Sequence, residues 1–334
     1  MGVGTDIFTI QTVDVLPVPG SSLEDLEQTK VAAHIERAQQ QGRYAGTTDP
    51  LEYLTLHGCV TTHAGRTHGT LAGLLSFGRN PQAILRHAVV DVGHYSGTQP
   101  VSFEVLHLEK NIGGTIFDQL SRVEEYIRRN TKHGMTLPER GFERIEVHEY
   151  PPAVVRELCV NMLAHRDYTI AGSAARVALY VDRIEWVSPG GLPPGIVVEH
   201  LLDSQQARNP MLLTILHEAG YVEAFGQGLD TVVQVLKQEQ MPPPTFRDIG
   251  SAFIVSVKGR QFDRFELSGL HFLNETQRAI INAFHARSEV TLAELREVLP
   301  KLSYRGLQDN MRTLVDAGII VREGQTRAVR YRLR

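Results

Sequence analysis

Apolar residues recur every three or four positions between 116 and 127, with Ile116, Leu120, Val123 and Ile127 on one face and Arg122, Glu125, Arg128 and Arg129 on the other. That spacing predicts an amphipathic helix from Thr115 to Thr131. The same period puts Val154, Leu158 and Met162 on the core side of a helix over 151–168. Pro151 and Pro152 suit its start, because proline presets φ and the N–H it lacks has no intrahelical partner there. Glu157, Asn161 and His165 also stand four apart and line a polar stripe on another face. Shorter helical patterns occupy 21–41, 49–57, 211–218 and 229–239. Alternating runs predict strands at 7–15, 88–95, 101–108, 144–150 and 253–258, with a pair in 175–187 turning at Asp182-Arg183. The stretch 59–78 has the cadence of two strands around a turn. Interleaved helices and strands make this an α/β (α+β) chain with a mixed sheet.

The last sixty residues carry a pattern of their own. Asn274 caps a helix over 275–286, with Ile280, Ile281 and Phe284 inward. Thr291-x-x-Glu294 is a capping box opening a second helix to about 298. A third begins at Ser303, burying Leu307, Met311 and Leu314 while Arg305, Gln308 and Arg312 share another face. Gly318 ends it, and strands follow at 319–322 and 329–333. Three helices and a two-stranded hairpin look like a winged helix-turn-helix. In that reading the third helix enters the major groove of double-stranded DNA. Arg322, Arg327, Arg330 and Arg332 on the hairpin neutralise phosphates. Winged helices also mediate protein contacts, so that alternative stays open.

Boundaries are expected at a mixed region over 1–110, a connecting helix and strand over 111–150, a domain over 151–260 and the winged helix over 272–334. The formal charge is −4, so any hold on DNA comes from a local patch and not from the overall field. Two cysteines, Cys59 and Cys159, make no disulfide framework, which points to a reducing cytoplasm. No apolar run reaches the roughly 18 residues of a membrane span, and no secretory leader is legible. His57, Cys59, His63 and His68 can each bind zinc, but their spacing matches no closed site.

One stretch narrows the picture. The helix Glu157-x3-Asn161-x3-His165-Arg166-Asp167-Tyr168, the turn Pro189-Gly190-Gly191-Leu192-Pro193, Arg208-Asn209-Pro210 and the segment 70–82 resemble the RecG-like, Schlafen/AlbA-type transcriptional regulators. The C-terminal half of those proteins is similar to the GHKL ATPases. The resemblance covers most of the chain, which is expected to begin at or after the family's AlbA/Schlafen-type domain. It implies a GHKL-like central domain with ATP and Mg²⁺ as cofactors. Glu157 would activate the attacking water and Asn161 would ligate the metal. Gly190, Gly191, Gly226 and Gly228 would bring backbone close to the nucleotide. Ser188-Pro189 stands where GHKL enzymes carry the aspartate that reads adenine. Arg166 and Asp167 are read as surface ion pairs at the helix end. No Gly-x4-Gly-Lys phosphate loop exists, so helicase activity is not implied.

The expected function is that of a DNA-binding transcriptional regulator, cytoplasmic and nucleoid-associated, with the GHKL-like domain as scaffold or sensor. An ATP-dependent DNA repair protein with weak ATPase activity is one alternative. A non-catalytic protein-interaction module is another, and a homo-oligomer stays open.

Overall fold

A six-stranded mixed sheet organises the larger part of the molecule. It is seen in a computed structural model that describes residues 12–101, 104–136, 145–202, 206–222, 228–260, 273–284, 289–300, 302–316, 319–324 and 329–333. The chain divides into two units, Met1–His133 with Val147–Arg260, and Gly134–Glu146 with Gln261–Arg334.

In chain order the first unit begins with α1 (Gln28–Gln40), α2 (Pro50–Leu56), the hairpin β1 (Val60–His63) and β2 (Arg66–Gly69), and α3 (Leu71–Phe77). Then come β3 (Val90–Tyr95), β4 (Val105–Ile112) and α4 (Ile116–Asn130). Two short strands, β5 (His133–Thr136) and β6 (Ile145–His148), pair with each other. They are followed by α5 (Pro152–Ala164), β7 (Ala175–Leu179), β8 (Arg183–Pro189), α6 (Pro210–Glu218), α7 (Gly228–Gln238), β9 (Thr245–Asp248) and β10 (Ala252–Lys258). The sheet order is β4-β3-β7-β8-β10-β9. Only β3 and β7 run parallel; the other neighbours are antiparallel. A parallel pair needs a crossover, and α4 and α5 supply it.

Local chemistry explains several of these elements. Thr115 caps α4 through a closed capping box with Asp118, and Ile116, Leu120, Val123 and Ile127 are buried along it as their period requires. Asp49 caps α2 by accepting from Glu52 N at 2.8 Å, with Pro50 in the first turn. Helix α5 buries more than one stripe: beside Val154, Leu158 and Met162, it also encloses Val155, Cys159, Val160 and Leu163. Trp186 on β8 donates its ring N–H to Cys159 Sγ at 3.3 Å, and burial pushes that thiol up to about 12, so Cys159 is a packing residue.

Four expectations need correction. Residues 13–15 form a 3-10 turn, not the end of a strand over 7–15, and the start of that stretch lies outside the described residues. The helix expected from 21 is interrupted. Ser22 and Asp25 close a capping box around one 3-10 turn, and Glu27 N then donates to Phe77 O at 2.8 Å, so α1 starts at Gln28. The end of 59–78 is the helix α3, whose seven residues are all buried. Finally, the divisions at 110 and 150 fall inside one unit: β3 and β4 join β7, β8 and β10 in one sheet, and one core runs from Leu26 to Val257.

The second unit contains α8 (Glu275–Phe284), α9 (Leu292–Val298), α10 (Tyr304–Asp316), β11 (Ile320–Glu323) and β12 (Arg330–Leu333). Ile280, Ile281, Phe284, Leu295, Leu307, Met311, Leu314, Ile320 and Tyr331 form its core. Strands β11 and β12 are antiparallel, and Val290 bridges to Tyr331 with two backbone hydrogen bonds of 2.9 Å. Residues 261–272, which separate the domain expected over 151–260 from the winged helix, lie outside the described residues.

Candidate functional site

In the first unit, α5, the turn after β8 and the start of α7 surround a cavity lined by Glu157, Asn161, His165, Gly190, Gly191 and Gly228. Trp186, Ile196, Leu213, Phe253 and Val255 give it an apolar wall. Gly226 lies outside the described residues.

At one end Asn161 Nδ2 donates to Glu157 Oε1 at 2.8 Å and to Glu157 O at 2.9 Å, which turns its amide oxygen away from the carboxylate. Glu157 in turn reaches the first residue of α7. A Cβ on Gly228 would stand 2.0 Å from Glu157 Oε1, so only glycine lets the carboxylate approach that helix start. Helix N-termini attract negative charge. His165 caps the C-terminal end of α5. Burial, and then the charge of Arg208, lower its pKa to about 4, so the imidazole on the cavity wall is neutral at pH 7.

The glycine turn is held by the protein itself. Gly190 has φ +95°, and a Cβ there would lie 2.6 Å from Asp167 Cβ. Gly190 N donates to Ser251 O at 2.9 Å, Gly191 N to Gly250 O at 3.0 Å and Leu192 N to Asp248 Oδ2 at 3.1 Å. Arg208 donates to both Gly191 O and Asp167 Oδ2, at 2.6 and 2.8 Å. Asp167 therefore does form an ion pair, but Arg166 does not sit on the surface. It is fully buried and donates to the carbonyls of Val89, His87 and Ser173.

This arrangement fits the phosphate half of a magnesium nucleotide. A carboxylate and an amide stand together at a helix start where a side chain is excluded, and those groups suit a hard cation and its phosphate. Glu157, Asn161 and the start of α7 would hold it, and the bound cation would supply charge neutralisation. The base half differs from the GHKL pattern. Asp167 is committed to Arg208 and to Thr169, and Asp248 to the backbone N–H groups of Leu192 and Gly250, so neither carboxylate is left for an adenine amino group.

Sequence reasoning missed Asp248 because β9 is only four residues long. The turn Asp248-Ile249-Gly250 was the one available signal. It also missed the pairing of Arg208, which no local pattern announces. The zinc-capable residues do not assemble: His57 Nε2 faces Glu218 Oε1 at 2.8 Å, Cys59 is buried and His68 Nδ1 faces Ser21 O.

In the second unit Arg305, Gln308 and Arg312 all lie exposed along α10, opposite Leu307, Met311 and Leu314. Arg305 and Arg322 have no acidic partner among the described residues. Arg312 lies 3.9 Å from Asp316, with both side chains largely in solvent. The hairpin arginines differ. Arg330 pairs with Glu289 at 3.2 Å and Arg332 with Glu323 at 2.6 Å. In the β11–β12 register Arg322 stands opposite Tyr331, whereas Arg330 and Arg332 flank that residue and so project from the other face. The expected hairpin cations therefore do not form one patch, and Arg327 lies outside the described residues.

Residues 172–257 match the family model described as "Putative ATP-dependent DNA helicase recG C-terminal". This segment is thus RecG-like and ATPase-related. No curated protein matches the chain. The crystal structure of the DIP2311 protein from Corynebacterium diphtheriae is similar, with a TM-score of 0.60 at 19% identity, covering 97% of this chain and 64% of that one. That likeness concerns the fold, and the chain spans 64% of the other protein's length. Among the described residues no helix is long and apolar enough to cross a membrane.

Proposed function

We propose that the chain is a DNA-binding regulator whose second unit acts as a winged helix-turn-helix on duplex DNA, with the cavity-bearing unit as scaffold or ligand sensor. The supporting observation is the outer face of α10, where Arg305, Gln308 and Arg312 stand exposed beside Asp309, and where Asp316 is the one carboxylate among the described residues that approaches an arginine within 4 Å. A helix with cations and an amide on its free face, next to a hairpin, suits major-groove readout with backbone neutralisation. Duplex binding by the full chain, lost on combined Arg305→Ala and Arg312→Ala, tests it. Salt-insensitive capture of a protein partner without DNA affinity would replace it by the interaction-module reading.

A second reading, ATP-dependent action on DNA, is favoured by the Glu157–Asn161 pair at the start of α7. It requires Mg·ATP turnover that Glu157→Ala removes. The absence of turnover with retained nucleotide binding would leave the sensor reading alone.

A further inference from the structure

The base half of the cavity has almost every polar group already spent. Asp167 is held by Arg208 and Thr169, and Asp248 by the N–H groups of Leu192 and Gly250. Arg208 divides its guanidinium between Asp167 Oδ2 and Gly191 O. The N–H groups of Gly190 and Gly191 donate to Ser251 O and Gly250 O. Ser188 is 7% exposed and gives its hydroxyl proton to Met162 O at 2.8 Å. Asp230 also lines the cavity, but it stands two residues into α7, at the Glu157 end. No carboxylate and no N–H of the glycine turn is left to select a base.

His165 is left. It is part-buried on the cavity wall, and its ring nitrogens make no hydrogen bond among the described residues. It lies two residues before Asp167, whose Cβ packs against Gly190, so it belongs to the glycine-turn end. Along α5 it stands eight residues beyond Glu157. That is about 12 Å of helix, which leaves room for a sugar between a metal-bound phosphate and a base. Trp186, Phe253 and Val255 supply the apolar wall that a flat ring needs. Gln206, exposed two residues before Arg208, is another cavity-lining side chain without a hydrogen bond among the described residues.

The chemistry of these two groups decides what they can select. An ionised aspartate only accepts, so it takes the exocyclic amino group of adenine and repels a carbonyl in the same place. Burial, and then the charge of Arg208, keep the His165 imidazole neutral at pH 7. A neutral imidazole has one donor and one acceptor, and a change of tautomer exchanges them. The nitrogen that faces a base therefore accepts from an amino group in one tautomer and donates to a carbonyl in the other. The primary amide of Gln206 offers the same choice by rotation.

Building on the nucleotide reading of this cavity, we infer that it takes purine nucleoside triphosphates whether the six-position bears an amino group or a carbonyl, with His165 as the group that meets that position.

Calorimetric titration of the full chain, in magnesium, with ATP, inosine triphosphate and purine riboside triphosphate tests this. The three probes differ only at the six-position. ATP and inosine triphosphate bind within about threefold of each other. Purine riboside triphosphate, which has no group there, binds about fivefold more weakly than either. These comparisons use the wild-type chain and need no variant to fold. His165→Ala weakens ATP and inosine triphosphate by about fivefold and leaves purine riboside triphosphate unchanged. His165→Asp, which places an obligate acceptor beside Arg208, makes ATP preferred over inosine triphosphate by more than about tenfold. No saturable binding of any probe up to about 5 mM would overturn the assignment together with the nucleotide reading. A wild-type preference for ATP of more than about tenfold would overturn the assignment alone, and would make Ser188 Oγ the acceptor. Equal affinity for all three probes, or an unchanged preference in His165→Asp, would remove His165 from the base and overturn it as well.

Discussion

Arg208 spans two acceptors, Asp167 Oδ2 at 2.8 Å and Gly191 O at 2.6 Å, and so fastens the segment after α5 to the glycine turn after β8. The turn that lines the cavity owes its shape to this guanidinium as much as to its glycines. Arg208→Ala is expected to lower stability by about 1–3 kcal/mol, since it leaves a half-buried carboxylate and a carbonyl without their donor. Arg208→Lys should recover less than half of that, because a single ammonium cannot replace a planar fork. Urea unfolding measures both. A lysine variant as stable as the wild type would show that charge alone holds the turn.

Gly228 matters for a different reason. The atom that a new Cβ would meet is the far end of the Glu157 side chain, 2.0 Å away, and that end can swing aside. Gly228→Ala should therefore keep the unliganded Tm within about 2 °C, while displacing the carboxylate from the start of α7. On the ATP-dependent reading Mg·ATP should raise the wild-type Tm, and in Gly228→Ala and in Asn161→Ala that rise should disappear. Scanning calorimetry with and without Mg·ATP is the check, and a rise retained in both variants would place any nucleotide elsewhere.

Acid stability reports on Glu218. Burial alone would raise its pKa, but hydrogen bonds from His34, His57 and Tyr53 outweigh that and hold it at about 2. A carboxylate whose folded pKa lies below its unfolded value of 4.5 stabilises the fold above that value. The contribution fades as pH falls from about 4.5 to about 2. Glu218→Gln is then less stable than the wild type by roughly 3 kcal/mol at neutral pH, with the gap closing near pH 2. Denaturation midpoints across that window test it. A variant that loses stability as steeply as the wild type on acidification would acquit Glu218.

How much of this was legible depended on whether the signal was local. Helix α4 showed itself because Ile116, Leu120, Val123 and Ile127 face a core while arginines face water. Helix α3 did not, because Leu71–Phe77 is buried on every side and burial without a polar face leaves no period. The pairing of Glu157 with Asn161 follows from a spacing of four on one helix. The closeness of Gly228 to Glu157, and of Gly190 to Asp167, comes from packing between distant segments. Arg166 misled for a related reason. Arginine is rarely buried, yet three backbone carbonyls from two loops enclose this one. On the C-terminal hairpin the arginines were countable in the sequence, but Glu289, which engages Arg330, lies 41 residues away.

The most direct measurement is fluorescence anisotropy of a labelled duplex titrated with the full chain at several salt concentrations. The account predicts binding that weakens steeply with salt, and a salt slope smaller by about 2 in the Arg305→Ala, Arg312→Ala double variant. Arg330→Ala with Arg332→Ala, whose guanidinium groups are already held by Glu289 and Glu323, should cost distinctly less. Full affinity in the α10 double variant, or no binding at low salt, would contradict the claim that this helix reads DNA.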